Sequence, residues 1–232
     1  MTVADLVSKY GGKKLVPDEL TSYEQWSLPF FHQQEYVREP YLQMTLQIDI
    51  TKALGHFKAS VIALPGATFT GYLIWQLAQT SLAHPSFRYR KLEDAWYVFD
   101  NLPVFTPIAV GGEARFSETL LYNVNGAEPG HFFEHYQEQL AHAQSREEFI
   151  PLSPLEWGSA LFVGNLPNLQ FTGFTLHTSA VQMGRPYFYF GKRYTREGQT
   201  YIPLLVTFDH ANLDPYVLST FMEDFEARIA GE

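Results

Sequence analysis

In the segment YIPLLVTFDHANLDP, residues 201–215, an apolar run stops at the pair Asp209-His210, and a second aspartate, Asp214, follows His210 by four residues. The run is nearly all apolar, as expected of a central strand covered on both faces. In an extended strand His210 shares a face with Phe208 while Asp209 points the other way. An imidazole at the mouth of a buried strand titrates in the range that a general base needs near neutral pH. The same histidine also fits as a polar residue where a strand stops, and spacing leaves both readings open. Asp214 precedes Pro215, a favoured first-turn residue, and reads as a helix N-cap, a role that needs no chemistry.

The other arrangement with chemical content is HFFEH at 131–135, which has the form of the inverted zincin motif H-x-x-E-H. On a helix His131 and His135 fall one turn apart with Glu134 as the base, and Glu138 and His142 continue that face. The face lies about 100° from the apolar stripe of Phe132, Tyr136, Leu140 and Ala143, so a solvated flank fits it better than a metal cage. No metal is expected.

Much other chemistry lacks its sequence anchors. There is no GxxxxGK[ST], no GxGxxG and no GxSxG. The chain has no cysteine, which excludes disulfides, a thiolate nucleophile and cysteine-ligated metals. A formal charge of −9 disfavours nucleic acid or an anionic membrane as partner. No run approaches the roughly 18 apolar residues of a membrane span, and the N-terminus lacks a signal-peptide core, so a cytoplasmic protein is expected.

The elements that must position these residues follow from periodicity. Residues 42–50 read as a strand, 68–83 as a buried helix, and HPSFRYR, AWYVFD and PVFTPIAV as strands. EPGHFFEHYQEQLAHAQSREEF reads as an amphipathic helix. ALFVGNLPNLQ, FTGFTLHTS and a hairpin pair, PYFYFGKRY and TYIPLLVTF joined across Glu197-Gly198, follow it. The last helix starts at Pro215 and carries Leu218, Phe221, Met222, Phe225 and Ile229 on one face. With no repeat or separating linker, the expectation is a single α/β domain over 1–232, a two-layer sandwich of helices on a large mixed β-sheet.

The final 45 or so residues resemble the chloramphenicol acetyltransferase family, whose signature His-His-x-x-x-Asp-Gly ends a central strand before an apolar helix. Asp209-His210-Ala211-Asn212-Leu213-Asp214-Pro215 stands in that place. QIDIT at 47–51, YLIWQLAQTSLAHPSFRYR, DNLPVFTPIAV, NLPNLQFTGFTL at 165–176 and PYFYFGKRYTREGQTYIPLLV continue the likeness in the same order.

The resemblance implies an acyltransferase that uses acyl-CoA, works as a homotrimer with sites between subunits, and acts on a small-molecule acceptor. It implies His210 as the base that deprotonates the acceptor and Lys192 as the hairpin lysine near CoA; Lys192, Arg193 and Arg196 either offset the cofactor's phosphates or form an ordinary solvated turn. An acyl carrier protein is an alternative donor, although a charge of −9 repels an acidic carrier. The likeness also marks departures. The family's oxyanion serine falls on Gly173, beside Thr172, and its water-ordering threonine falls on Tyr189. The family's Trp-x-Arg, whose arginine pairs with the motif aspartate, reads Trp26-Ser27-Leu28, which leaves Asp214 without that partner. Loss of one oxyanion donor costs on the order of 10²–10³ in turnover, so a catalytically repurposed or inactive binding protein is the alternative expectation.

Overall fold

The computed structural model describes residues 1–113, 115–145, 152–177 and 182–232. Helix α1 (Val3–Lys9) is set by a capping box in which Thr2 accepts from the Asp5 N–H and Asp5 accepts from the Thr2 N–H. After β1 (Gly12–Lys14), Thr21 and Glu24 repeat the device at the start of α2 (Ser22–Phe30). Then come β2 (Tyr41–Asp49), α3 (Thr51–His56) with a π-helical continuation at Phe57–Val61, and α4 (Phe69–Ala83). β3 (Tyr89–Leu92), β4 (Ala95–Phe99), β5 (Val104–Gly111) and β6 (Arg115–Leu121) precede α5 (Pro129–Gln144) and α6 (Pro154–Ser159). β7 (Leu161–Asn165), β8 (Tyr187–Phe190), β9 (Tyr194–Arg196), β10 (Gln199–Asp209) and α7 (Pro215–Ala230) complete the chain.

The expected mixed sheet is present. Its strands run β2-β10-β8-β7-β5-β6, and the short β9 pairs the same edge of β10 as β8 does. β7 lies parallel to β5 and β8, and the other neighbours are antiparallel. A separate sheet of β1-β4-β3 lies beside the N-terminal helices. Leu204, Val206 and Phe208 of β10 join the main core with α3, α4, α5 and α7, so helices cover one sheet face. Leu205, Thr207 and Asp209 alternate to the opposite face. The turn between β9 and β10 has both Glu197 and Gly198 in the left-handed region, at φ 53° and 83°, the geometry of a tight two-residue hairpin.

Helix α7 buries Leu218, Phe221, Met222, Phe225 and Ile229, as its spacing predicts. Other segments differ from expectation. Pro85–Arg88 is a 3₁₀ turn and only Tyr89–Leu92 extends as strand, because Pro85 fixes a helical φ at the first position. Residues 171–177 of FTGFTLHTS form no strand, and 178–179 lie outside the described residues, as do 146–149 of the α5 segment. The loop instead lies against β2, where Gln47 donates to the Phe171 carbonyl (3.4 Å) and Gln43 to that of Leu176 (3.4 Å).

Candidate active site

His210 follows the last residue of β10, where its backbone N–H donates to the Pro40 carbonyl at 2.8 Å. Its half-buried ring stacks on Phe31, with centroids 4.2 Å apart and planes inclined by 19°. Nδ1 lies 3.3 Å from the Leu213 carbonyl oxygen. A carbonyl only accepts, so in the neutral ring Nδ1 carries the proton and Nε2 presents its lone pair. That tautomer suits proton abstraction by Nε2.

Asp214 caps α7. Its Oδ1 accepts from the Val217 N–H at 2.8 Å, and among the described residues no cation pairs with it. Leu28 instead packs into an apolar cluster with Ala211 and Tyr89. Ser27 donates to the Ala211 carbonyl at 2.8 Å. A different contact ties the N-terminal region to the end of β10: His32 Nε2 hydrogen-bonds Oδ2 of the fully buried Asp209 at 2.8 Å, and Asp209 Oδ1 accepts from the Ala211 N–H. Sequence reasoning missed this pair, since 177 positions separate the partners.

Gly173 and Tyr189 lie elsewhere on the chain. Among the described residues a Cβ built on Gly173 meets only Thr45 Oγ1, at 3.7 Å, which leaves room for a side chain there. Thr172 beside it is exposed. Tyr189 packs at a tilt of 36° against Phe162 and stands edge-on to Phe174 of the same loop as Gly173. It occupies a notch made by Gly164 on the neighbouring strand, where a Cβ would fall 2.4 Å from the ring. Burial pushes the Tyr189 phenol up to about 12, against a smaller downward pull from Arg185, so the hydroxyl stays a donor at neutral pH. Thr45 and Tyr189 both pair with Leu205, five residues before His210. At about 3.3 Å per residue, roughly 16 Å of strand separates Leu205 from His210. One chain therefore does not bring His210 together with Gly173 and Tyr189.

Lys192 and Arg193 are exposed at the bend between β8 and β9. They line a pocket of about 280 Å³ with Thr70, Asn165 and Pro167 at the N-terminus of α4, and the Arg193 guanidinium lies 5.2 Å from the Phe69 ring centre. The positive end of a 15-residue helix and two cations make this a region suited to anions.

The HFFEH residues do not form a comparable cluster. His135 Nε2 accepts from the Tyr122 N–H at 3.4 Å, while His131 and Glu134 are exposed. Among the described residues no three His, Asp or Glu side chains converge as metal ligands.

Helices cover one face of a mixed sheet, and a histidine stands at the mouth of its long strand. The chain belongs to the chloramphenicol acetyltransferase family, whose model matches residues 20–226. A solved chloramphenicol acetyltransferase superposes with a TM-score of 0.75 at 20% identity, covering 94% of this chain and 100% of that one. A probable dihydrolipoamide acetyltransferase from Listeria monocytogenes superposes at 0.65 with 16% identity, covering 95% and 96%. A curated chloramphenicol acetyltransferase from Staphylococcus aureus is 27% identical over 96 residues, a match spanning 41% of this chain and 44% of that relative. No helix among the described residues is long and apolar enough to cross a membrane.

Proposed function

We propose that the protein transfers an acyl group from a thioester, acyl-CoA or a carrier-bound acyl group, to a hydroxyl or amine of a small molecule, with His210 as general base. The observation that carries this reading is the bond from His210 Nδ1 to the Leu213 carbonyl, which leaves Nε2 as the proton acceptor. Nε2 takes the acceptor's proton as its oxygen or nitrogen attacks the thioester carbonyl. The C–S bond then breaks, and the imidazolium returns the proton to the departing thiolate. The cationic pocket at Lys192 and Arg193 fits the phosphates of CoA.

The separation of His210 from Gly173 and Tyr189 along β10 fits a site completed by a neighbouring subunit, as in a homotrimer. With Gly173 lacking a hydroxyl, the Tyr189 phenol is the candidate donor to the tetrahedral oxyanion. Analytical ultracentrifugation tests the assembly, and a 26.6 kDa species would remove the shared site. Acyl transfer from acetyl-CoA and longer acyl-CoAs to a panel of hydroxyl and amine acceptors, read by free-thiol release, tests the chemistry. The open space at Gly173 favours a second reading, a family member that binds a small molecule without transferring an acyl group. Saturable ligand binding with no thiol release from any donor would select it.

A further inference from the structure

Two arginines with no part in that chemistry are buried near the carboxyl end of β10. Arg90 of β3 is 0% exposed and Arg185, just before β8, is 2% exposed. Arg90 donates to the carbonyls of Ser159 (2.6 Å), Phe87 (3.1 Å) and Tyr89 (2.5 Å). Arg185 donates to the Trp157 carbonyl, shares a side-chain hydrogen bond with Tyr187, and packs on the rings of Trp157 and Tyr187, its guanidinium carbon 3.9 Å and 4.4 Å from their centres. On both residues Nη2 is buried and has no hydrogen-bond partner among the described residues.

No carboxylate lies within 4.0 Å of either guanidinium among the described residues. The buried carboxylates in this region are already bonded, Asp209 to His32 and the Ala211 N–H, and Glu156 to Lys9 and Tyr10. Burial, with the Arg185 charge added, pushes Arg90 down to about 9. An uncompensated buried ion costs several kcal/mol, and leaving a charged donor unpaired adds to that. Carbonyls and aromatic faces offset part of this cost, but they supply no negative charge.

We propose that Arg90 and Arg185 form a receptor for the carboxylate of a small aromatic acid, the acceptor of the reaction. The chemical class follows from the walls. A guanidinium packed on aromatic rings keeps its unpaired N–H bonds in its own plane, which fits a planar carboxylate better than a tetrahedral anion. Phe162, whose ring centre is 5.5 Å from the Arg185 guanidinium carbon, extends the aromatic surface towards Tyr189. Tyr187 and Trp157 are half-buried, and one of these rings must turn to admit the ligand.

The role as acceptor site rests on the acyl-transfer reading, whereas carboxylate binding does not, and a binding experiment separates them. Benzoate, benzamide and sulfate are titrated against the full chain by calorimetry and thermal denaturation. Benzoate binds and raises the melting midpoint, benzamide does not, and sulfate binds more weakly. Arg185→Lys weakens benzoate about 10- to 100-fold, as expected for lost charge-assisted bonds. Arg185→Met abolishes the benzoate response without lowering the midpoint of the unliganded protein. His210→Ala leaves benzoate binding intact, so a failure of the catalytic reading would not touch this one. Equal responses to benzoate and benzamide, sulfate binding tighter than benzoate, no benzoate binding at all, or an Arg185→Lys protein that binds benzoate like the wild type would each overturn the proposal.

Discussion

His210 lies face to face with Phe31, the two ring centroids 4.2 Å apart. Helix α2 ends at Phe30, so the stacking joins the N-terminal region to the end of the longest strand. Together with the Leu213 carbonyl it fixes both the plane and the tautomer of the imidazole. His210→Ala is expected to lower acyl transfer by about 10²–10⁴ without unfolding the chain. Phe31→Leu keeps the apolar contact but loses the stacked plane, and is expected to lower kcat more than it raises KM. Steady-state kinetics with circular dichroism of each variant checks both, and a folded His210→Ala protein with normal turnover removes the base assignment.

Asp214 acts as a cap. Asparagine caps a helix about as well, so Asp214→Asn is expected to change the unfolding free energy by no more than a few tenths of a kcal/mol, while Asp214→Ala costs about 1 kcal/mol. Urea denaturation separates them. A large loss of turnover in Asp214→Asn would mean that the carboxylate's charge orders the site.

The His32–Asp209 pair is a different matter, because Asp209 is fully buried. His32→Ala leaves that carboxylate without its ring partner and is expected to destabilise the fold by about 3–5 kcal/mol. The His32→Leu/Asp209→Asn double variant is expected to recover part of the loss, giving a coupling energy well above 0.5 kcal/mol in a double-mutant cycle. Additive effects would show that the pair is incidental.

Acid sensitivity is expected where α1 docks. Glu156 accepts from Lys9 Nζ at 2.7 Å and from the Tyr10 hydroxyl. Burial raises its pKa, but the bonds from Lys9 and Tyr10 outweigh that, and the net shift is downward from 4.5. A depressed folded value means that this contribution is complete above about pH 4.5 and is lost as pH falls through the folded pKa. Glu156→Gln is therefore expected to flatten the acid limb of a stability–pH curve while leaving its neutral-to-alkaline slope unchanged.

Gly173 has space for a hydroxyl-bearing side chain, since among the described residues the nearest atom to a built Cβ is 3.7 Å away. Gly173→Ser is expected to fold with a stability change within about 0.5 kcal/mol. If the site lacks only that donor, turnover rises by up to about 10². Unchanged turnover in a folded protein would support Tyr189 as the donor already in place.

The parts of this architecture that repeat in sequence were legible there. Helix α7 shows its buried face every three or four residues, and β10 shows itself as an apolar run ending in His210. Pro215 marks the start of α7, and Glu197-Gly198 marks the hairpin. Helices α1 and α2 are too short for periodicity to reveal, although Thr2…Asp5 and Thr21…Glu24 carry the capping signal. Strand β6 is absent from the sequence reading, because ARFSETLL has only a weak alternation. Segment 171–177 is rich in Phe and Thr, yet Gln47 and Gln43 of β2 reach its carbonyls with their side chains in place of a backbone ladder. Burial of Arg90 and Arg185 and pairing of His32 with Asp209 depend on tertiary packing across distant segments. No local pattern encodes them.

The fit of Tyr189 into the notch at Gly164 ties the histories of two positions together. Any side chain at 164 would collide with the ring 2.4 Å away, so the tyrosine must become smaller before the glycine can be replaced. From a smaller residue at 189, by contrast, arrival of the tyrosine requires that 164 already be glycine. Mutational routes between this site and one with a small residue at 189 therefore run in one order only. A library that varies position 164 while holding Tyr189 fixed will return almost nothing but glycine.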